Sequence, residues 1–107
     1  MDEIKNDIID WAIKNPLILK VYIFGSRVRG DNRQDSDLDI ALEISKLPGD
    51  NNIVATFTGE QSIWVMELQK KIPFKIDLEC LNLDDDITDV KLAIKDEGQL
   101  IYEKLNL

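Results

Sequence analysis

LDIALEI, residues 38–44, alternates without a break: Leu38, Ile40, Leu42 and Ile44 on one side, Asp39, Ala41 and Glu43 on the other. Asp37 extends the second set. Successive side chains of a strand leave opposite faces, so this pattern predicts a strand with one core face and one polar face. Upstream, LILKVYIF (17–24) is rich in β-branched and aromatic residues and apolar in both registers. That predicts a central strand covered on both sides. Between the two lies GSRVRGDNRQDSD, residues 25–37. It is too short for a crossover, so the strands are expected to be antiparallel.

Further out, residues 2–14 read as a helix, with Ile4, Ile8, Trp11 and Ala12 on one face; Asn15-Pro16 ends it. KLPGDNN (46–52) is a loop by composition. A helix is predicted over 54–71, with Trp64, Leu68 and Ile72 at i, i+4 and i+8, Ile63 and Met66 beside them, and Pro73 closing it. FKIDLECL (74–81) is a third strand, with Phe74, Ile76, Leu78 and Cys80 on one face and Lys75, Asp77 and Glu79 on the other. DDDITDVKLAIKDEG (84–98) reads as a final helix, its acidic start at Asp84, Asp85 and Asp86 suited to the helix dipole and Gly98 placed to cap it. QLIYEKL (99–105) reads as a short extended tail. The long middle helix allows a parallel connection. The expected fold is α+β: a small mixed sheet flanked by helices, in one domain over residues 1–107.

Composition excludes several function classes. The 107 residues include no histidine, which removes Ser-His-Asp and Cys-His catalysis and any histidine-bearing zinc site. The single cysteine, Cys80, forms no internal disulfide and reads as a small core residue in a reducing, cytoplasmic protein. The acidic N-terminus is unlike a secretory signal, and no stretch approaches the ~20 apolar residues of a membrane helix. A net charge of −8 gives no attraction to nucleic acid. It suits a basic partner surface or an anionic ligand bridged by a cation.

Four aspartates fall within residues 31–39. Asp31 and Asp35 fit turn chemistry and loop solvation. Asp37 and Asp39 leave the same strand face about 6.5–7 Å apart along the backbone, a spacing at which carboxylates hold divalent cations between them. Asp77 lies on the polar face of the third strand and joins them if the strands are neighbours. Gly25 lets the backbone approach a ligand, and Ser26 supplies a hydroxyl where amides of a helix start can bind phosphate. If the first two strands are antiparallel, this turn lies beside Asp37. Phosphate donors on one side and metal ligands on the other suit a nucleoside triphosphate bound as its magnesium complex. Glu43 and Glu79 share the polar faces further along. Trp11 and Trp64 fall on apolar helical stripes and read as core.

Gly25-Ser26, Gly30 and Ser36-Asp37-Leu38-Asp39-Ile40 together resemble the GS…G…SDxDL signature of the DNA-polymerase-β-like nucleotidyltransferases. GSRVRG and the short chain are similar to the minimal nucleotidyltransferase (MNT) antitoxin group, and KIDLECL resembles the strand bearing its third carboxylate. The resemblance implies that Asp37, Asp39 and Asp77 are catalytic and hold two Mg2+ ions. It implies that Gly25 and Ser26 hold the β- and γ-phosphates, with Arg27, Arg29 and Ser36 assisting. It implies transfer of a nucleoside monophosphate from ATP or another NTP to a hydroxyl. In some members of this group that hydroxyl is a tyrosine of a partner HEPN-domain toxin, silenced as in a type VII toxin-antitoxin system. The alternatives are an antitoxin that only masks its partner and a catalytic subunit that modifies a small-molecule hydroxyl. No membrane and no direct nucleic acid are expected as partners.

Overall fold

The computed structural model describes residues 2–82 and 89–105. Its strands are β1 (Ile18–Phe24), β2 (Leu38–Ile44), β3 (Ile76–Cys80) and β4 (Gln99–Glu103). Its helices are α1 (Asp2–Ile13), α2 (Ser26–Arg29), α3 (Ile53–Gln69) and α4 (Asp89–Glu97). The strands form one mixed sheet in the order β3-β2-β1-β4. β1 and β2 are antiparallel, with Ile23 opposite Ile40 and Phe24 opposite Asp39. β2 and β3 are parallel, as the α3 crossover requires. The expected extended tail is β4, which pairs antiparallel with the free edge of β1.

One sheet face carries the core. Ile8, Trp11 and Ala12 of α1 and Phe57, Trp64 and Leu68 of α3 join one buried cluster with Val21, Ile23, Leu38, Ile40, Leu42, Ile44, Ile76 and Leu78. Each fully buried Ile or Leu in it contributes roughly 1.5–3 kcal/mol. Trp11 and Trp64 meet edge to face, ring centres 6.2 Å apart, and Trp11 Nε1 donates to Glu67 Oε1 at 3.2 Å. Both tryptophans are core, as their spacing predicted. Asn52 caps α3 by accepting from the Ala55 N–H at 2.9 Å. At the other end Gln69 ties the helix to the next strand: its Nε2 donates to Phe74 O at 2.8 Å and its Oε1 accepts from the Ile76 N–H at 3.0 Å.

The opposite face is wetter than expected for β1. Lys20 lies between Glu43 of β2 and Glu103 of β4, at 3.5 and 3.4 Å, and Tyr22 is half-buried. This face is closed at the Gly25 end, where Phe24 is buried outside the main cluster, and at Ala41 beside Tyr22. Ile63 and Met66 are exposed rather than beside the buried stripe. The predicted short turn after β1 contains a helical turn, α2, closed by Gly30 in the left-handed region with its N–H on Ser26 O. The expectation for Asp84, Asp85 and Asp86 lies outside the described residues. Gly98 does end α4, its N–H bonded to Ile94 O at 2.9 Å.

Candidate active site

The end of β1 turns sharply into α2, and the turn depends on Gly25. Its φ of +83° and ψ of −165° fall in a region open essentially to glycine alone. A Cβ there would overlap Asp39 Oδ2 and lie 2.9 Å from Asp39 Cγ. The carboxylate of Asp39 therefore rests directly against the turn. Ser26 is the first residue of α2, and the opening amides of a helix have no carbonyl one turn earlier to bond. The amides of Val28 and Arg29 bond to Gly25 O at 3.1 Å, so the half-buried Ser26 hydroxyl and the opening amides of Ser26 and Arg27 are the donors that sit one residue beyond the point where Asp39 meets the backbone.

The register of β2 and β3 sets Asp39 opposite Asp77. Alternation puts both on the face opposite the core, Asp39 half-buried and Asp77 exposed. Burial raises the pKa of Asp39 first, then the charges of Asp77 and Asp37 and a hydrogen bond with Asp77, pushing it up to about 6; Arg29 pulls weakly the other way. Two carboxyl groups share one small space here, with Asp37 near enough to be felt. Glu79, set aside in the sequence reading, also belongs to this surface. Its pKa is raised by burial first, then by the charge of Asp77 and a hydrogen bond with it. Its i, i+2 spacing from Asp77 was the signal that could have found it.

Oxygen donors with unrelieved like-charge repulsion suit a hard divalent cation of the magnesium class. The Asp39–Asp77 pair fits that chemistry, and Asp37 would complete it. Among the described residues, no three His, Cys, Asp or Glu side chains already converge as a finished metal cage. Cys80 takes no part: burial pushes its thiol up to about 11, and it packs in the core.

The remaining expected residues build the surroundings. Ser36 Oγ accepts from the Arg33 N–H at 2.8 Å, closing the turn before Asp37. Arg27 Nε donates to Ser36 O at 2.9 Å and its Nη2 to Gln34 O at 3.1 Å. The Arg27 guanidinium carbon also lies 3.5 Å from the centre of the Phe74 ring. Arg29 pairs with Asp31 at 3.3 Å and with Glu97 of α4 at 2.7 Å.

Residues 6–106 match the sequence profile described as polymerase beta, nucleotidyltransferase. This chain belongs to the polymerase-beta nucleotidyltransferase family. The family signature read from residues 25–40 thus falls on the turn and strand that meet at Gly25 and Asp39. No curated protein matches the sequence. Solved structures share the nucleotidyltransferase fold. A toxin-antitoxin crystallised with AMP-PNP is 24% identical, with a TM-score of 0.70 over 94% of this chain and 73% of that one. The MntA–HepT toxin-antitoxin is 21% identical, TM-score 0.66, over 97% and 74%. A tri-AMPylated Shewanella oneidensis HEPN toxin in complex with its MNT antitoxin is 22% identical, TM-score 0.63, over 94% and 71%. Among the described residues, no helix of this nucleotidyltransferase is long and apolar enough to cross a membrane.

Proposed function

We propose that this chain transfers AMP from ATP to a tyrosine hydroxyl of a HEPN-domain toxin, and so acts as its antitoxin. The observation that carries this reading is the Asp39–Asp77 pair, in register on adjacent strands, with Asp39 pressed against the Gly25 turn. In the reaction the acceptor oxygen bonds to the α-phosphorus while the bond from that phosphorus to the pyrophosphate oxygen breaks. Pyrophosphate leaves, and the hydroxyl proton passes to a carboxylate, for which exposed Asp77 is the candidate. Gly25 lets Asp39 lie against the turn beside the triphosphate; Ser26 and the first amides of α2 donate to its β- and γ-phosphates. Asp37, Asp39 and Asp77 would hold two magnesium ions. Those ions supply charge neutralisation of the phosphates and activation of the attacking oxygen.

Several observations support the partner. A neighbour of the same fold was crystallised with AMP-PNP, and another is the MNT antitoxin of a tri-AMPylated HEPN toxin. A net charge of −8 suits a basic, RNA-cutting partner surface. ATP as donor and a lone, reduced cysteine suit the cytoplasm. The masking reading is favoured by one observation, the absence of a finished three-carboxylate cage among the described residues.

The experiment that separates the two uses ATP labelled at the α-phosphate, magnesium and the co-purified partner, with the wild type and Asp37→Ala/Asp39→Ala. Transfer of label to the partner by the wild type alone is the expected result. A stable, neutralised complex that never takes up label would leave masking as the function.

A further inference from the structure

Three segments must keep their spacing for the proposed site to work: the turn after β1, the approach to β2 and the approach to β3. Arg27 touches all three. It is the second residue of α2, directly after Ser26. Its Nε and Nη2 donate to the carbonyls of Ser36 and Gln34, and Ser36 immediately precedes Asp37. Its guanidinium carbon lies 3.5 Å from the centre of the Phe74 ring, three residues before Asp77. Between Phe74 and Asp77, Lys75 O accepts the Leu38 N–H at 2.8 Å, so the second and third segments are also bonded to each other.

We propose that Arg27 is a positioning residue: it fixes the distance from the Gly25–Ser26 turn to the Asp37 and Asp77 carboxylates and does not itself grip the triphosphate. Two of its donor directions are spent on backbone carbonyls, and one face of its plane is covered by an aromatic ring. Residues 31–35 are all exposed, so that loop has little burial of its own to hold it. A planar fork that stacks and donates to two carbonyls at once is beyond a lysine, whose ammonium is a single point on a flexible stem. A group that only supplied positive charge to phosphate would tolerate that exchange.

The kinetic consequence rests on the proposed nucleotidyl transfer; the structural consequence does not, and the test measures both. Arg27→Met, Arg27→Lys and Phe74→Leu are compared with wild type by amide hydrogen exchange and by single-substrate kinetics for ATP. In both Arg27 variants, exchange at residues 33–38 is expected to accelerate by about tenfold or more while Val21 and Ile23 in β1 keep their protection. The kcat should fall by about 10–100-fold with KM for ATP changed less than about threefold, because misplaced groups cost rate rather than ground-state binding. Lysine should not rescue. Unchanged loop exchange overturns the proposal. So does lysine restoring wild-type kinetics, or a large rise in KM with kcat kept, since these are signs of a direct phosphate contact. If Arg27→Met loses protection at Val21 and Ile23 as well, Phe74→Leu decides: faster exchange at 33–38 supports the proposal, and unchanged exchange overturns it. If wild type transfers no nucleotide to any acceptor, the proposed function falls, and the exchange data still decide Arg27.

Discussion

Gly25 and Asp39 occupy adjoining space, and substitutions at either report on the other. Gly25→Ala meets two penalties, a backbone region closed to side chains and a Cβ that overlaps the Asp39 carboxylate. Gly30 has a similar φ of +85° but nothing within 4 Å of its would-be Cβ. Urea unfolding should therefore show a loss of about 2–3 kcal/mol for Gly25→Ala and about 1 kcal/mol for Gly30→Ala. Equal losses would mean that the Gly25 turn relaxes and Asp39 moves aside freely. Asp39 carries its own pH signature. Its folded pKa is raised from 3.8 to about 6, so the folded protein holds this proton more tightly than the unfolded chain. The group therefore costs nothing at low pH, and stability declines as pH rises from about 4 through about 6. In chelator, Asp39→Asn should be about 1–2 kcal/mol more stable than wild type at pH 8, allowing for solvent screening at this half-buried group, and no more stable at pH 4. A gain of the same size at both pH values would rule out charge as its cause. That the turn meets the carboxylates was legible, because antiparallel pairing brings the end of β1 to the start of β2; that Asp39 rather than Asp37 meets Gly25 was not, because it depends on the register, which sets Phe24 opposite Asp39.

At the scale of elements, β2 was legible to the residue: its alternation is unbroken and charged turn residues bound it. The facing of Asp39 and Asp77 followed from that alternation and from α3 being long enough for a parallel crossover. The stripe on α3 was read too wide. Met66 is two residues from Trp64, about 200° around a helix, and so points away from the sheet. Ile63 lies about 100° to the other side, at the boundary, and is exposed. α2 was anticipated only as a helix start at Ser26; its four residues show no periodicity that would mark its extent. Gln69 escaped for a different reason: its bonds go to main-chain groups, which any sequence supplies. Its amide satisfies Phe74 O and the Ile76 N–H at the entry to β3. Gln69→Ala leaves these part-buried groups without that partner, and a loss of about 1–3 kcal/mol is expected in urea unfolding. A loss below about 0.5 kcal/mol, the usual effect of a surface change, would show that water replaces the side chain at no cost.

For the molecule as a whole, a net charge of −8 means that the proposed cation, once bound, would enter the fold's energetics. An ion that binds only the folded chain stabilises it by mass action. Excess magnesium should raise the Tm of the wild type by about 4–8 °C for each kcal/mol of binding linkage, and should not raise that of Asp39→Asn/Asp77→Asn. An equal rise in both would assign the ion to another site. The strand order also sets a timetable. β1 and β2 pair across the single turn of residues 25–37, a short loop to close. β3 joins only after the whole of α3 has crossed over, and β4 reaches β1 from the far end of the chain. A chain emerging N-terminus first therefore forms the Gly25–Asp39 hairpin while Asp77 is still unpaired. Asp77 arrives with the long-range contacts, so a half-folded chain would hold only part of the proposed site. Contact order acts here as a clock: the two halves of the proposed site come together only when the long-range pairings form.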